Sequence, residues 1–163
     1  MRGTLLPVLD EFAVTFRVMH GFSSASVVNS IAEATSCADR PLIVFYVGDY
    51  DPSGLYMSER DLPERLSRYG GEVDLRRLAL TAADVMDPGL PGFDAATKRK
   101  DPRYKWFVAN HGTRCWELDA MSPPVLRQRV RNAILAEINQ AAWEHCAMIE
   151  AAERESLRKF KWG

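Results

Sequence analysis

The chain has 163 residues, 47% of them hydrophobic and 26% charged, with 21 basic residues against 22 acidic ones and a formal net charge of -1. These figures fit one globular domain with or without an appendage, and they exclude both wholesale disorder and a uniformly basic nucleic-acid coat, while leaving room for a local basic patch. The three cysteines, Cys37, Cys115 and Cys146, suggest no disulfide framework, and no apolar run approaches the ~18 residues of a membrane span, so a soluble, cytoplasmic protein is expected.

In chain order, Leu5, Leu6, Val8, Leu9 and Phe12 share one face of a first helix, although Pro7 argues against it unless it lies in the first turn. VTFRVM, residues 14–19, is β-branched and reads as a strand. After His20-Gly21, Ser23 or Ser24 is placed to cap a helix running to Ala34. LIVFYV, residues 42–47, is apolar at every position and reads as a central strand covered on both faces, as in a parallel sheet. A helix is expected from about Gly54 to Tyr69, kinked at Pro63 and stopped by Gly70-Gly71. Residues 72–80, EVDLRRLAL, read as another strand, with Arg76 and Arg77 on opposite faces. Residues 86–100 are rich in Pro and Gly and read as a long loop, followed by a short helix from Pro102 to about Asn110. Nothing interrupts a helix from Pro123 onward. A helix of roughly 38 residues would be ~57 Å long in a domain whose radius of gyration is only ~15 Å, so it must bend, break or project. The alternation of strands and helices predicts an α/β domain over residues 1–122 with a mostly parallel sheet, and a long C-terminal helix over 123–163.

Chemistry concentrates in GDYDPSG, residues 48–54. Asp49 and Asp51 lie just past the carboxyl end of a strand, where open α/β sheets bind ligands. If extended geometry continues, residues two apart point the same way and their carboxylates repel unless a cation lies between them. Oxygen-only ligation suits Mg²⁺, which takes one or two carboxylates and keeps waters for phosphate oxygens. Ser53 and Gly54 open the next helix, whose free N–H groups favour an anion. The alternative is a plain turn, since Asp-Pro-Ser-Gly is good turn chemistry.

A strand ending in Gly-Asp-x-Asp-Pro-x-Gly resembles the second motif of Toprim domains, the metal-binding catalytic domains of topoisomerases, bacterial primases and related nucleases. The Asp-Pro-Ser-Gly variant resembles the Toprim domain of topoisomerase VI and a group of prokaryotic proteins carrying GDxDPSG, RRxALT and WELDA segments. Here these are Gly48 to Gly54, Arg76 to Thr81 and Trp116 to Ala120, and the resemblance spans roughly residues 1 to 135. It implies a Toprim-like, Rossmann-like fold, Mg²⁺ held by Asp49 and Asp51, and nucleic acid as partner, DNA rather than RNA. It also implies a glutamate at the end of a strand preceding the helix near Gly3. No such strand precedes that helix in these residues, and Glu11 is at the wrong end of it. The expectation is therefore a Toprim-like domain without its first strand and glutamate, binding but catalytically silent by itself.

Glu117 and Asp119 are again two apart, as outer-shell or third ligands, or as part of a helix entry capped by Asp119 or Ser122. Lys98, Arg99, Lys100, Arg103 and Lys105 form a basic run interleaved with Tyr104 and Trp106, suited to phosphates and to stacking on an unpaired base, or else a solvated loop. His20, His111 and His145 form no zinc signature; His111 and Cys115 are four apart but Gly112 intervenes. Residues 141–152, AAWEHCAMIEAA, are apolar around most of a helix. They are expected to pack against a second copy or against residues outside this sequence, or to bend back onto the sheet. Two other functions stay open: a binding or oligomerisation module without chemistry, and a haloacid-dehalogenase-like phosphatase, which also places D-x-D after a strand.

Overall fold

The computed structural model describes residues 2–19, 25–35 and 42–160. His20, the Ser23/Ser24 cap and Cys37 lie outside them. The fold is mixed α/β, built around a parallel pair of strands, β1 (Leu42–Val47) and β2 (Val73–Ala79). Alternation along these strands sends side chains to two clusters. Phe45, Val47 and Leu78 join the main core, with α1 (Arg2–Glu11) and α6 (Pro123–Glu137). Tyr46, Val73 and Leu75 face a smaller core of α2 (Ala25–Thr35) and α4 (Leu62–Arg68), through Val28, Ala32, Leu62 and Leu66. The sheet is thus sandwiched between helices.

Two strand expectations are corrected. Residues 14–19 form no strand: they run without regular structure along a groove of about 1290 Å³ whose other wall is β1. For the same reason β1 is not a central strand. Among the described residues it pairs only with β2, and every one of its residues is half-buried rather than buried. A strand is made by its ladder, and a β-branched pattern without a hydrogen-bonded neighbour does not supply one.

Pro7 lies inside α1 rather than in its first turn, and the apolar face of Leu5, Val8, Leu9 and Phe12 is buried regardless. Tertiary burial outweighs one lost helical bond here. The helix after Gly48–Gly54 runs as α3 (Pro52–Tyr56), a π-helical turn (Met57–Asp61) and α4. Pro63 has no N–H for the carbonyl of Glu59, and the chain widens just before it, with Leu62 N–H donating to Met57 O. The expected disturbance at Pro63 is this turn.

Beyond β2 the long loop carries short 3₁₀ turns and β3 (Phe93–Asp94), which pairs antiparallel with β4 (Arg114–Cys115) across α5 (Tyr104–His111). The continuous helix expected after Pro123 breaks at Ile138, whose backbone is extended, and restarts at Asn139, whose side chain accepts from Ala142 N–H to cap α7 (Gln140–Lys159). Leu126, Val130 and Ile134 place α6 in the main core, whereas no residue of α7 is buried. Trp143 touches Phe12 with ring centroids 5.6 Å apart.

The loop after β2 is fastened to α6 by one carboxylate. Asp84 accepts from Arg129 Nη1 at 2.7 Å, from Thr81 N–H at 2.7 Å and from the Thr81 hydroxyl at 2.8 Å. Burial pushes its pKa up, but the Arg129 and Thr81 bonds outweigh burial, leaving it below the ordinary 3.8. A folded pKa below the unfolded one stabilises above the unfolded value and is lost as pH falls through the folded one. Asp84→Asn should therefore cost about 1–2 kcal/mol at neutral pH. The gap to wild type should shrink below about pH 4, read from urea unfolding at pH 7 and pH 3.

Candidate functional site

Past β1 the chain turns sharply through Gly48–Gly54, and the turn is built inward and outward at once. Inward, Arg77 of β2 reaches under it. Its guanidinium donates to the carbonyl oxygens of Gly48 (3.0 Å), Gly54 (3.1 Å), Leu80 (2.6 Å) and Asp49, and to the Ser58 hydroxyl (2.7 Å). It also lies over the Tyr46 ring, 5.1 Å from the centroid. Burial pulls the Arg77 pKa below its ordinary value, yet a guanidinium stays charged in a protein. Of the two arginines expected on opposite faces, Arg77 serves the turn and Arg76 is exposed, paired with Asp74 and Glu137.

Outward, both aspartates are held. Asp51 is buried and is the N-cap of α3: its Oδ1 accepts from Gly54 N–H at 2.7 Å. A Cβ at Gly54 would come within 2.4 Å of the Asp49 carbonyl oxygen, so only glycine closes this turn. Asp49 Oδ1 accepts from Leu118 N–H at 2.8 Å. That contact depends on a bridge between Tyr50 and Trp116, N–H to carbonyl at 2.8 and 3.0 Å, which lays the WELDA segment beside the turn.

The other expected residues divide. Lys98 enters the site: its Nζ is 3.3 Å from Asp51 Oδ2 and 3.9 Å from Glu117 Oε1. Burial opposes its charge, but Asp51, with Glu117 and Asp49 behind it, raises its pKa above the ordinary value. Glu117 and Asp119 are exposed on the wall of the groove that runs along β1, together with Asp49, Asp51, Ser53, Gly54 and Arg103. Ser53 and Gly54 do not present open donors. The Ser53 hydroxyl lies 2.5 Å from Asp101 Oδ2, and Gly54 N–H is taken by Asp51. Asp101, which sequence reasoning did not single out, also pairs with Arg103 at 3.4 Å. Burial would raise its pKa, but the Ser53 and Arg103 bonds hold it below the ordinary value. Arg99, Lys100 and Lys105 are exposed.

Trp106 is no platform for a base. It meets Tyr56 and His111 edge-on, with centroids 5.1 Å away in each case, and packs on the main core with Tyr104. His111 Nε2 lies 3.2 Å from a Glu59 carboxylate oxygen, and burial pushes the Cys115 thiol up to about 12. Ser122 precedes α6 without a side-chain cap bond.

Among the described residues no group of three His, Cys, Asp or Glu is placed to hold a metal. The donor set at Asp49 and Asp51 is carboxylate oxygen, which suits Mg²⁺ with its retained waters rather than a metal caged by protein alone. An ammonium already lies against one of those oxygens, so the pocket accepts a cation. Family models, curated proteins and solved structures were compared with the chain, and none matches.

Arg77→Met should collapse this arrangement. Each carbonyl left buried without its donor costs about 1–3 kcal/mol, so a loss of ~3 kcal/mol or more is expected in chemical denaturation. Arg76→Met, on the exposed side, should leave the denaturation curve close to that of the wild type.

Proposed function

We propose that this chain is a Toprim-like, Mg²⁺-binding module that engages nucleic acid, DNA rather than RNA, and is catalytically silent by itself. One observation carries the reading. Asp49 and Asp51, at the carboxyl end of β1, line one groove with Glu117 from a distant segment, and Lys98 lies between Asp51 and Glu117 in reach of both. The position is where open α/β sheets bind ligands. Asp49 and Asp51 would hold the metal, with Glu117 and Asp119 on the groove wall behind them. A bound Mg²⁺ would neutralise charge on a phosphate oxygen. The exposed Arg99, Lys100 and Lys105 would hold the backbone electrostatically. Phosphodiester cleavage also needs a group that moves a proton, and no carboxylate from a strand beside β1 joins the pair among the described residues.

With a Kd of ~1 mM, 10 mM Mg²⁺ adds about 1.4 kcal/mol and raises the Tm of a domain this size by ~3–5 °C. The rise should vanish in Asp49→Asn. A wild-type melt unmoved at high millimolar Mg²⁺ would sink the metal reading. Supercoiled plasmid incubated with protein and Mg²⁺ should stay intact; nicking that an Asp49→Ala, Asp51→Ala control abolishes would refute catalytic silence.

The exposure of α7 favours a second role beside the first, homodimerisation. Ala142, Cys146, Ile149 and Leu157 share a stripe of α7, and Ile149, Leu157 and, just past its end, Phe160 are exposed. Sedimentation should give a dimer for the wild type and a folded monomer for Ile149→Glu, Leu157→Glu. A monomeric wild type at micromolar concentration contradicts this.

A further inference from the structure

We propose that Lys98 is a built-in counter-cation of the acidic pocket, and that a divalent metal enters only by displacing it. The inference rests on the metal-binding reading above and adds a competitor to it. Asp51 has one oxygen committed to the backbone, Oδ1 on Gly54 N–H at 2.7 Å. The other, Oδ2, is the one that Lys98 Nζ approaches, at 3.3 Å. The side chain of Asp51 is only 9% exposed, so this oxygen has little access to solvent cations except past the ammonium.

Three features seat Lys98 there rather than in water. Its stem leaves a short 3₁₀ turn, Ala95–Lys98, whose start is pinned by the Asp94 side chain accepting from Ala96 N–H. Its Nζ lies over the Phe93 ring, 5.7 Å from the centroid. Glu117 Oε1 faces it from the far side at 3.9 Å. The ammonium thus lies against the Asp51 oxygen that a metal held by Asp49 and Asp51 would use, with Glu117 near its other contacts. A divalent ion and an ammonium cannot both contact that oxygen, because like charges at contact distance repel with little water between them. The same lysine supplies what keeps the pocket stable without metal, since it offsets the mutual repulsion of Asp49, Asp51 and Glu117.

An opposite charge within ~4–6 Å changes the cation affinity of a carboxylate by roughly ten- to a thousandfold. Partial exposure of Lys98 places the effect at the low end, about tenfold. The probe is Mn²⁺, with the free ion counted by its paramagnetic resonance signal while purified protein is titrated. Lys98→Met should bind Mn²⁺ about tenfold more tightly than wild type, and Lys98→Arg, which keeps the charge, should stay at wild-type affinity or weaker. Without metal, Lys98→Met should melt lower than wild type, and Mn²⁺ should close that gap. A residue that merely braced the loop would lower metal affinity on removal, so the direction of the change separates the two roles. Equal or weaker Mn²⁺ binding by Lys98→Met, with binding still lost in Asp49→Asn, overturns the competition and leaves the metal reading intact. Absence of Mn²⁺ binding in both wild type and Lys98→Met overturns both.

Discussion

Arg77 does the work that a metal or a cluster of caps does in other turns. Its guanidinium points five donors under Gly48–Gly54 and binds the carbonyls of Gly48, Asp49, Gly54 and Leu80 and the hydroxyl of Ser58. Its hydrogen bonds go to peptide carbonyls and one hydroxyl, and the Glu59 and Asp49 carboxylates support its charge only through space. Pulling the carbonyls of Gly48 and Asp49 inward leaves the side chains of Asp49 and Asp51 to leave the turn on its other side. The acidic pair is therefore presented by a cation on the neighbouring strand. That strand must be parallel and in register, Tyr46 opposite Arg77, for the guanidinium to arrive there.

The pocket in front of the turn is assembled from far along the chain. The bridge between Tyr50 and Trp116 brings Leu118 N–H to Asp49 and Glu117 to the rim. Ser53 binds Asp101, and that contact anchors the turn between the basic run and α5. Lys98, a few residues before, then falls on Asp51. Three negative groups on a small surface are tolerated because each has a partner: a backbone donor for Asp49, a donor and an ammonium for Asp51, and the same ammonium for Glu117. A carboxylate so satisfied is less available to anything else, which links the stability of the turn to the ease with which it takes a ligand.

β1 has a second edge, and among the described residues it is unpaired. Its apolar residues line a groove between the two core clusters, with residues 14–19 along the other wall and the acidic pocket at one end. A fully apolar strand with one bare edge is unusual for a parallel sheet, where both faces and both neighbours are normally covered.

Much of this was legible in the sequence by itself. Continuous apolarity marked β1, its abrupt end in GDYDPSG marked the sharp turn after it, and Pro63 marked the place where the helix changes its winding. These are local properties: burial pattern, turn chemistry and a missing N–H act within a few residues of where they are written. The alternation over Arg76 and Arg77 likewise separated an inner arginine from an outer one. What the sequence left open was every feature that depends on a neighbour. VTFRVM has the composition of a strand but no ladder to join, so it stays irregular. Trp106 looks like a stacking residue until Tyr56 and His111 meet it. A helix pattern unbroken from Pro123 still splits at Ile138–Asn139, because α6 is held by the core and α7 is not. Lys98, Asp101 and Glu117 are brought to the acidic turn by β3, β4 and the Tyr50–Trp116 bridge, since charge partners at such separations are chosen by tertiary geometry and not by spacing along the chain.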